Sequence, residues 1–184
     1  MESFSDTGST PVASTIKGRT FGSAFFLKRV ICNSSHQEVK NMRASEKDIK
    51  NLTDLVKIVW PENSKEDLTR IILEYMDSDE SAVFACKQGD TLAGVALCCL
   101  RHDYVEGCDT SPVGYLEGVS VKEEFRNMGI AKSLVEECEQ WAREKGCKEF
   151  ASDCELSNTA SLNFHLQIGF TEQNRIICFK KDLY

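Results

Sequence analysis

The period of the hydrophobic positions changes several times along the chain, and each change predicts an element. Asn41–Ala44 is short enough for a strand. Ser45 with Asp48 three residues on resembles a capping box. Ile49, Leu52, Leu55, Val56 and Val59 then recur at helical spacing, and Pro61 ends that helix after Trp60. Ser64 opens a second helix with Leu68, Ile71, Ile72, Tyr75 and Met76 on one face. AVFACKQ and TLAGVALCCLRH, separated by Gly89-Asp90, predict a β-hairpin. A loop from Asp103 to Val113 leads into the strand GYLEGVSV. The polar run KEEFRNM reaches Gly129, and a helix follows with Ile130, Leu134, Val135, Cys138 and Trp141 facing inward. Gly146 ends it. EFASDCE is a strand, Asn158–Ile168 is a helix broken by Gly169, and RIICFKK is a closing strand. The order β-α-α-β-β-β-α-β-α-β predicts an α/β fold with a mixed central sheet flanked by helices. GYLEGVSV, its helix and EFASDCE form a right-handed crossover joining two parallel strands.

The length of 184 residues suits one domain with a real core. No run approaches the roughly 20 apolar residues that cross a bilayer. Residues 1–41 differ from the rest. MESFSDTGSTPVAST is polar and aperiodic, and the apolar stretch FGSAFFLKRVIC is interrupted by Lys28-Arg29, which suits a secretory signal poorly. They are expected to be an unordered N-terminal extension, with a targeting peptide as the alternative, ahead of a domain over residues 42–184. The extension holds five basic and three acidic residues, net +2, so a formal total of −7 leaves −9 on the body. An acidic body is a poor binder of phosphate backbones and suits a cationic partner. Nine cysteines, an odd number without Cys-x-x-Cys or Cys/His ligand spacing, suggest reduced thiols in a cytosolic protein and no metal.

Two segments carry chemistry. After GYLEGVSV comes Arg126-Asn127-Met128-Gly129-Ile130-Ala131 at the start of a helix. A helix N-terminus offers unpaired N–H groups to an anion, Gly129 admits close approach, and Arg126 adds a cation. The same pattern also fits a surface loop with a helix-start glycine. Glu117 sits mid-strand among apolar residues, where a carboxylate is costly to bury without a partner. It is either a solvated residue on the outer face or a cleft carboxylate that holds a substrate ammonium and helps remove its proton.

Arg126–Ala131 between that strand and helix resembles the acyl-CoA signature of the GNAT N-acetyltransferases. Within that superfamily, GYLEGVSV, EQWAREKGCKEFASDCELSN and FHLQIGF resemble the aminoglycoside 6′-N-acetyltransferases of type I over roughly Met42 to Leu183. The resemblance implies that the sheet splays between GYLEGVSV and EFASDCE to form a cleft for acetyl-CoA. The amides of Arg126–Ala131 hold the pyrophosphate. Val119, Ser120 and Val121 pair with the pantetheine arm, an N–H near Val119 polarises the thioester, and Asn158 touches the cofactor; Asn158 also reads as an ordinary helix cap. Glu117, Asp153, Trp60 and Tyr104 match substrate-binding positions, with Glu117 also the base. Asp153 equally suits a strand-end turn, Trp60 a core anchor, and Tyr104 a solvated loop with Asp103, Glu106 and Asp109.

Two positions depart from the family pattern. His165 stands where many GNAT enzymes carry the tyrosine that protonates the leaving thiolate, which leaves the acid unassigned. Asn174 stands where related enzymes carry an acidic residue, so the site loses one negative charge. The resemblance implies a cytoplasmic resistance enzyme that acetylates the 6′-amine of aminoglycosides, as a homodimer, without metal, nucleic acid or membrane. The alternatives are a GNAT enzyme acting on another amine, a polyamine or a protein lysine, and a non-catalytic CoA-binding module.

Overall fold

The computed structural model describes residues 39–183. The leader expected over residues 1–41 therefore falls almost wholly outside the described residues. The elements run β1 (Val39–Arg43), α1 (Ile49–Val59), α2 (Lys65–Asp77), β2 (Ser81–Gln88), β3 (Thr91–Arg101), β4 (Val113–Val121), α3 (Ile130–Glu144), β5 (Phe150–Ser152) and α4 (Thr159–Ile168). Short 3-10 turns at Glu46–Asp48 and Glu123–Phe125 precede α1 and α3. The strands form one sheet in chain order. β1 to β4 are antiparallel, and β5 lies parallel to β4 after the α3 crossover.

The two helical periods read from the sequence cover opposite faces of this sheet. Leu52, Leu55 and Val56 of α1 and Leu68 and Ile72 of α2 close over Val83, Ala85, Val95 and Leu97. Ile130, Leu134, Val135, Cys138 and Trp141 of α3 close over Phe84, Ala96, Cys98 and Leu116. Each fully buried Leu or Ile among these contributes about 2 kcal/mol of transfer free energy. Ser64 caps α2 as expected, its Oγ accepting from the N–H of Asp67 at 3.0 Å. The eight cysteines among the described residues are free thiols, and no helix among those residues is long and apolar enough to cross a membrane.

Three expectations need correction. β1 begins at Val39, paired with Gln88, three residues before the expected boundary. Ser45 and Asp48 do not form a capping box. Ser45 Oγ donates to the Asp48 carboxylate at 2.8 Å, and that carboxylate turns to Lys87 of β2 at 3.0 Å, so side-chain pairing replaces the backbone cap. The closing strand RIICFKK does not form: residues 170–183 have no regular structure. Strand propensity needs a ladder to take effect, and among the described residues nothing pairs with this segment. Ile176, Ile177 and Phe179 stand 67%, 79% and 90% exposed.

Candidate active site

A break in register creates the site. β3 and β4 pair from Gly94–Val121 to Leu97–Gly118 and resume at Cys98–Leu116, so Glu117 has no residue opposite it. This is a β-bulge, a device that re-aims a side chain. Leu116 packs with the α3 core, whereas Gly118 faces the end of α1. Glu117 Oε1 accepts from Arg101 Nη2 at 2.8 Å and from Cys99 Sγ at 3.1 Å. Its side chain is 21% exposed, neither solvated nor sealed. Burial, with Glu117 beside it, pushes the Cys99 thiol up to about 12, so it remains a donor. A Cβ on Gly118 would lie 3.0 Å from Val59 and in ordinary contact, 3.6 Å, with the Trp60 ring, so the missing side chain makes room for Val59 at the end of α1 beside the strand. Trp60 is also packed against the α1–α2 core, as a core anchor would be.

Asp153 follows β5, whose last residue Ser152 stands opposite Leu116. The Tyr115 hydroxyl donates to Asp153 Oδ1 at 2.6 Å, and the Arg101 guanidinium lies 3.2 Å from the Tyr115 ring centroid. Burial and then the Asp153 carboxylate raise the Tyr115 hydroxyl well above its usual value. Glu117 and Asp153 thus come together, joined through Arg101 and Tyr115. His165 packs edge-on against Phe164 and Phe170. Its Nδ1 lies 2.8 Å from the Ser161 carbonyl and its Nε2 3.0 Å from Ser152 Oγ, which donates to the Leu116 carbonyl at 3.0 Å.

Tyr104 is 80% exposed on the loop between β3 and β4, and its hydroxyl donates to Glu106 Oε2 at 2.9 Å. Asn174 donates to Glu106 Oε1 at 2.9 Å. These hydrogen bonds, Asn174's the larger, hold the Glu106 carboxyl below its ordinary value. Glu149, just before β5, anchors the same loop by accepting from the N–H groups of Asp109 and Thr110 at 3.0 and 2.7 Å.

The sheet splays as the fold reading required. β4 has nine residues, but only Gly114–Leu116 pair with β5, so Val119, Ser120 and Val121 have β3 on one side and, among the described residues, no strand on the other. Ser120 Oγ donates to the Leu55 carbonyl at 2.7 Å, which pins this part of β4 to α1. Beyond it, Asn127 (φ 60°) and Gly129 (φ 78°) are left-handed, and a Cβ on Gly129 would meet nothing within 4 Å. Met128 and Ala131 pack against the α3-side core. The first helical bond of α3 runs from Ser133 N–H to Gly129 carbonyl, which leaves the N–H groups of Ile130, Ala131 and Lys132 without helical acceptors. Arg126 Nε donates to the Val121 carbonyl at 3.3 Å and ties the loop to the strand end. Asn158 caps α4, its Oδ1 accepting from Ser161 N–H at 3.0 Å. Among the described residues no cluster of three or more His, Cys, Asp or Glu is placed to hold a metal.

Sequence reading missed the bulge, Arg101 and Tyr115. The signal for Arg101 was a charged residue ending an otherwise apolar strand. Nothing in an alternating pattern marks an inserted residue.

The family model for GNAT acetyltransferases matches residues 49–170. An aminoglycoside N(6')-acetyltransferase type 1 from Salmonella typhimurium is 39% identical over 127 residues, 69% of this chain and 88% of the relative. One from Acinetobacter baumannii is 35% identical over 144 residues, 77% of this chain and 97% of the relative. The solved structure of AAC(6')-Iy with the bisubstrate analogue CoA-S-monomethyl-acetylneamine superposes with a TM-score of 0.75 at 34% identity, covering 80% of this chain and 99% of that one. With the splayed strands, the helix-start amides and these relatives together, the chain belongs to the GNAT acetyltransferase family, among the aminoglycoside N(6')-acetyltransferases of type 1.

Proposed function

We propose that the protein transfers acetyl from acetyl-CoA to the 6′-amine of aminoglycosides and so confers resistance to them. The observation that carries the reading is the bulged Glu117 beside the gap between β4 and β5. A thioester carrier in that gap would lie along Val119–Val121, with its pyrophosphate on the amides of Arg126–Ala131, and Asn158 beside it. Backbone N–H near Val119 would polarise the thioester carbonyl. Glu117 and Asp153 take ammonium groups of the sugar, while Trp60 and Tyr104 flank it.

The chemistry is one displacement. The amine gives up a proton toward Glu117, directly or through water, and its lone pair attacks the thioester carbon. The C–N bond forms, the C–S bond breaks, and the CoA sulfur leaves with the electron pair and takes a proton. Positioning both substrates is the main contribution. His165 packs against Phe164 and Phe170 with both ring nitrogens within hydrogen-bond distance of partners, so water is an equal source for the sulfur's proton.

The free thiols and the cytosolic source of acetyl-CoA support a cytoplasmic enzyme. The exposed run Ile176–Phe179 supports a homodimer that covers it. The test is CoA release from acetyl-CoA with kanamycin, with spermidine and with neither, with the acetylated nitrogen located by NMR. Release with kanamycin and acetylation at the 6′-nitrogen are expected. Release with spermidine alone overturns the reading.

A further inference from the structure

We infer that Arg101 is a positioning residue that holds the two acceptor-binding carboxylates, Glu117 and Asp153, as one unit. The inference rests on the proposed role of Glu117 and adds a residue to it.

Neither carboxylate is left to find its own orientation. Among the described residues the donors to Glu117, Arg101 and Cys99, both converge on Oε1 and none uses Oε2. One oxygen is therefore clamped and the other is offered to the acceptor amine. Asp153 follows the same plan, with Tyr115 bonded to Oδ1. Arg101 touches both limbs: its Nη2 holds Glu117, and its flat face covers the ring whose hydroxyl holds Asp153. A guanidinium suits this double task because it is planar, permanently charged and able to donate in its plane while stacking through its face.

The arrangement also balances charge. Two carboxylates at the end of a sheet repel each other and would swing apart toward solvent. The Arg101 cation compensates one of them without occupying its second oxygen. The site then keeps net negative charge for a cationic sugar and a fixed spacing between its two acceptors. A lysine has the charge but no flat face.

The experiment measures kcat and KM for kanamycin, and KM for acetyl-CoA, in the full chain. The variants are Arg101→Gln, Arg101→Lys, Tyr115→Phe and Glu117→Gln. Arg101→Gln should lower kcat/KM for kanamycin about ten- to hundredfold, the scale of a misplaced reacting group, while KM for acetyl-CoA stays within about twofold. Arg101→Lys should recover KM for kanamycin better than kcat, because charge returns without the stack. If Arg101→Gln matches the wild type while Glu117→Gln is impaired, Arg101 positions nothing and the inference is overturned. If Glu117→Gln itself matches the wild type, the role given to Glu117 is what fails. Should Arg101→Gln not fold, Tyr115→Phe decides. It keeps the ring beneath Arg101 and removes only the bond to Asp153, so KM for kanamycin should rise several-fold with kcat largely retained; an unchanged KM overturns the link.

Discussion

Asn174 and Glu106 are hydrogen-bonded at 2.9 Å, across the gap between the C-terminal segment and the loop after β3. Asn174 and Tyr104 together hold Glu106 as a fixed carboxylate on this loop. A cationic sugar bound beside Tyr104, as proposed, would meet that charge. Glu106→Gln should therefore raise KM for a polycationic aminoglycoside severalfold and leave kcat unchanged. The difference should shrink as salt rises, because exposed charges are screened within about 8–10 Å at ordinary ionic strength. Steady-state kinetics at low and high salt checks this.

Glu117→Gln keeps the size of the side chain and loses its charge and basicity. Turnover with kanamycin should fall by about a hundredfold or more, in the range of general-base removal. CoA affinity, measured by calorimetry, should not change, because the gap beyond Val119 is untouched. An equal loss of CoA affinity would show that the residue serves the cofactor.

Gly118→Ala tests the approach of α1 to the bulge. The new methyl would lie 3.0 Å from Val59, tight enough that its side chain must give by a few tenths of an ångström, and 3.6 Å from the Trp60 ring. Overpacking of this kind costs about 1–2 kcal/mol. Thermal unfolding should register that loss, and KM for the aminoglycoside should rise as Trp60 moves.

Burial opposes ionisation of Asp48, but hydrogen bonds from Lys87 and Ser45 and the charges of Lys87 and Lys47 outweigh it, so its pKa lies below 3.8. A depressed carboxyl stabilises the fold above its unfolded pKa and loses that contribution as pH falls through the folded value. Lys87→Met should thus cost about 1–2 kcal/mol at pH 7, since it strands a largely buried carboxylate. The gap between variant and wild type should close as the pH drops below the ordinary carboxylate range. Urea unfolding across that range reads it directly.

Much of this architecture was legible in the sequence because it depends on local period. The faces of α1, α2 and α3, the β2–β3 hairpin and the Ser64 cap all follow from spacing and turn residues. What stayed hidden depends on partners far along the chain. Glu117 reads as a mid-strand residue until β3 is laid beside it and one position proves to be extra. Arg101 and Tyr115 are 14 residues apart and meet only through the sheet. RIICFKK has strong strand character, but propensity alone makes no strand where no partner is paired with it among the described residues.

The brevity of the β4–β5 pairing reaches beyond catalysis. Three residues of ladder join β5 and α4 to the larger part of the sheet. Such a short junction should open more easily than the long β2–β3 and β3–β4 ladders, and the amide protons of Val119–Val121 that point away from β3 should exchange with solvent quickly in the ligand-free protein. A thioester carrier seated there, as proposed, would splint the two parts, and its binding free energy would add to the resistance against unfolding. The supply of acetyl-CoA would then govern how long each enzyme molecule escapes proteolysis, as well as how fast it works.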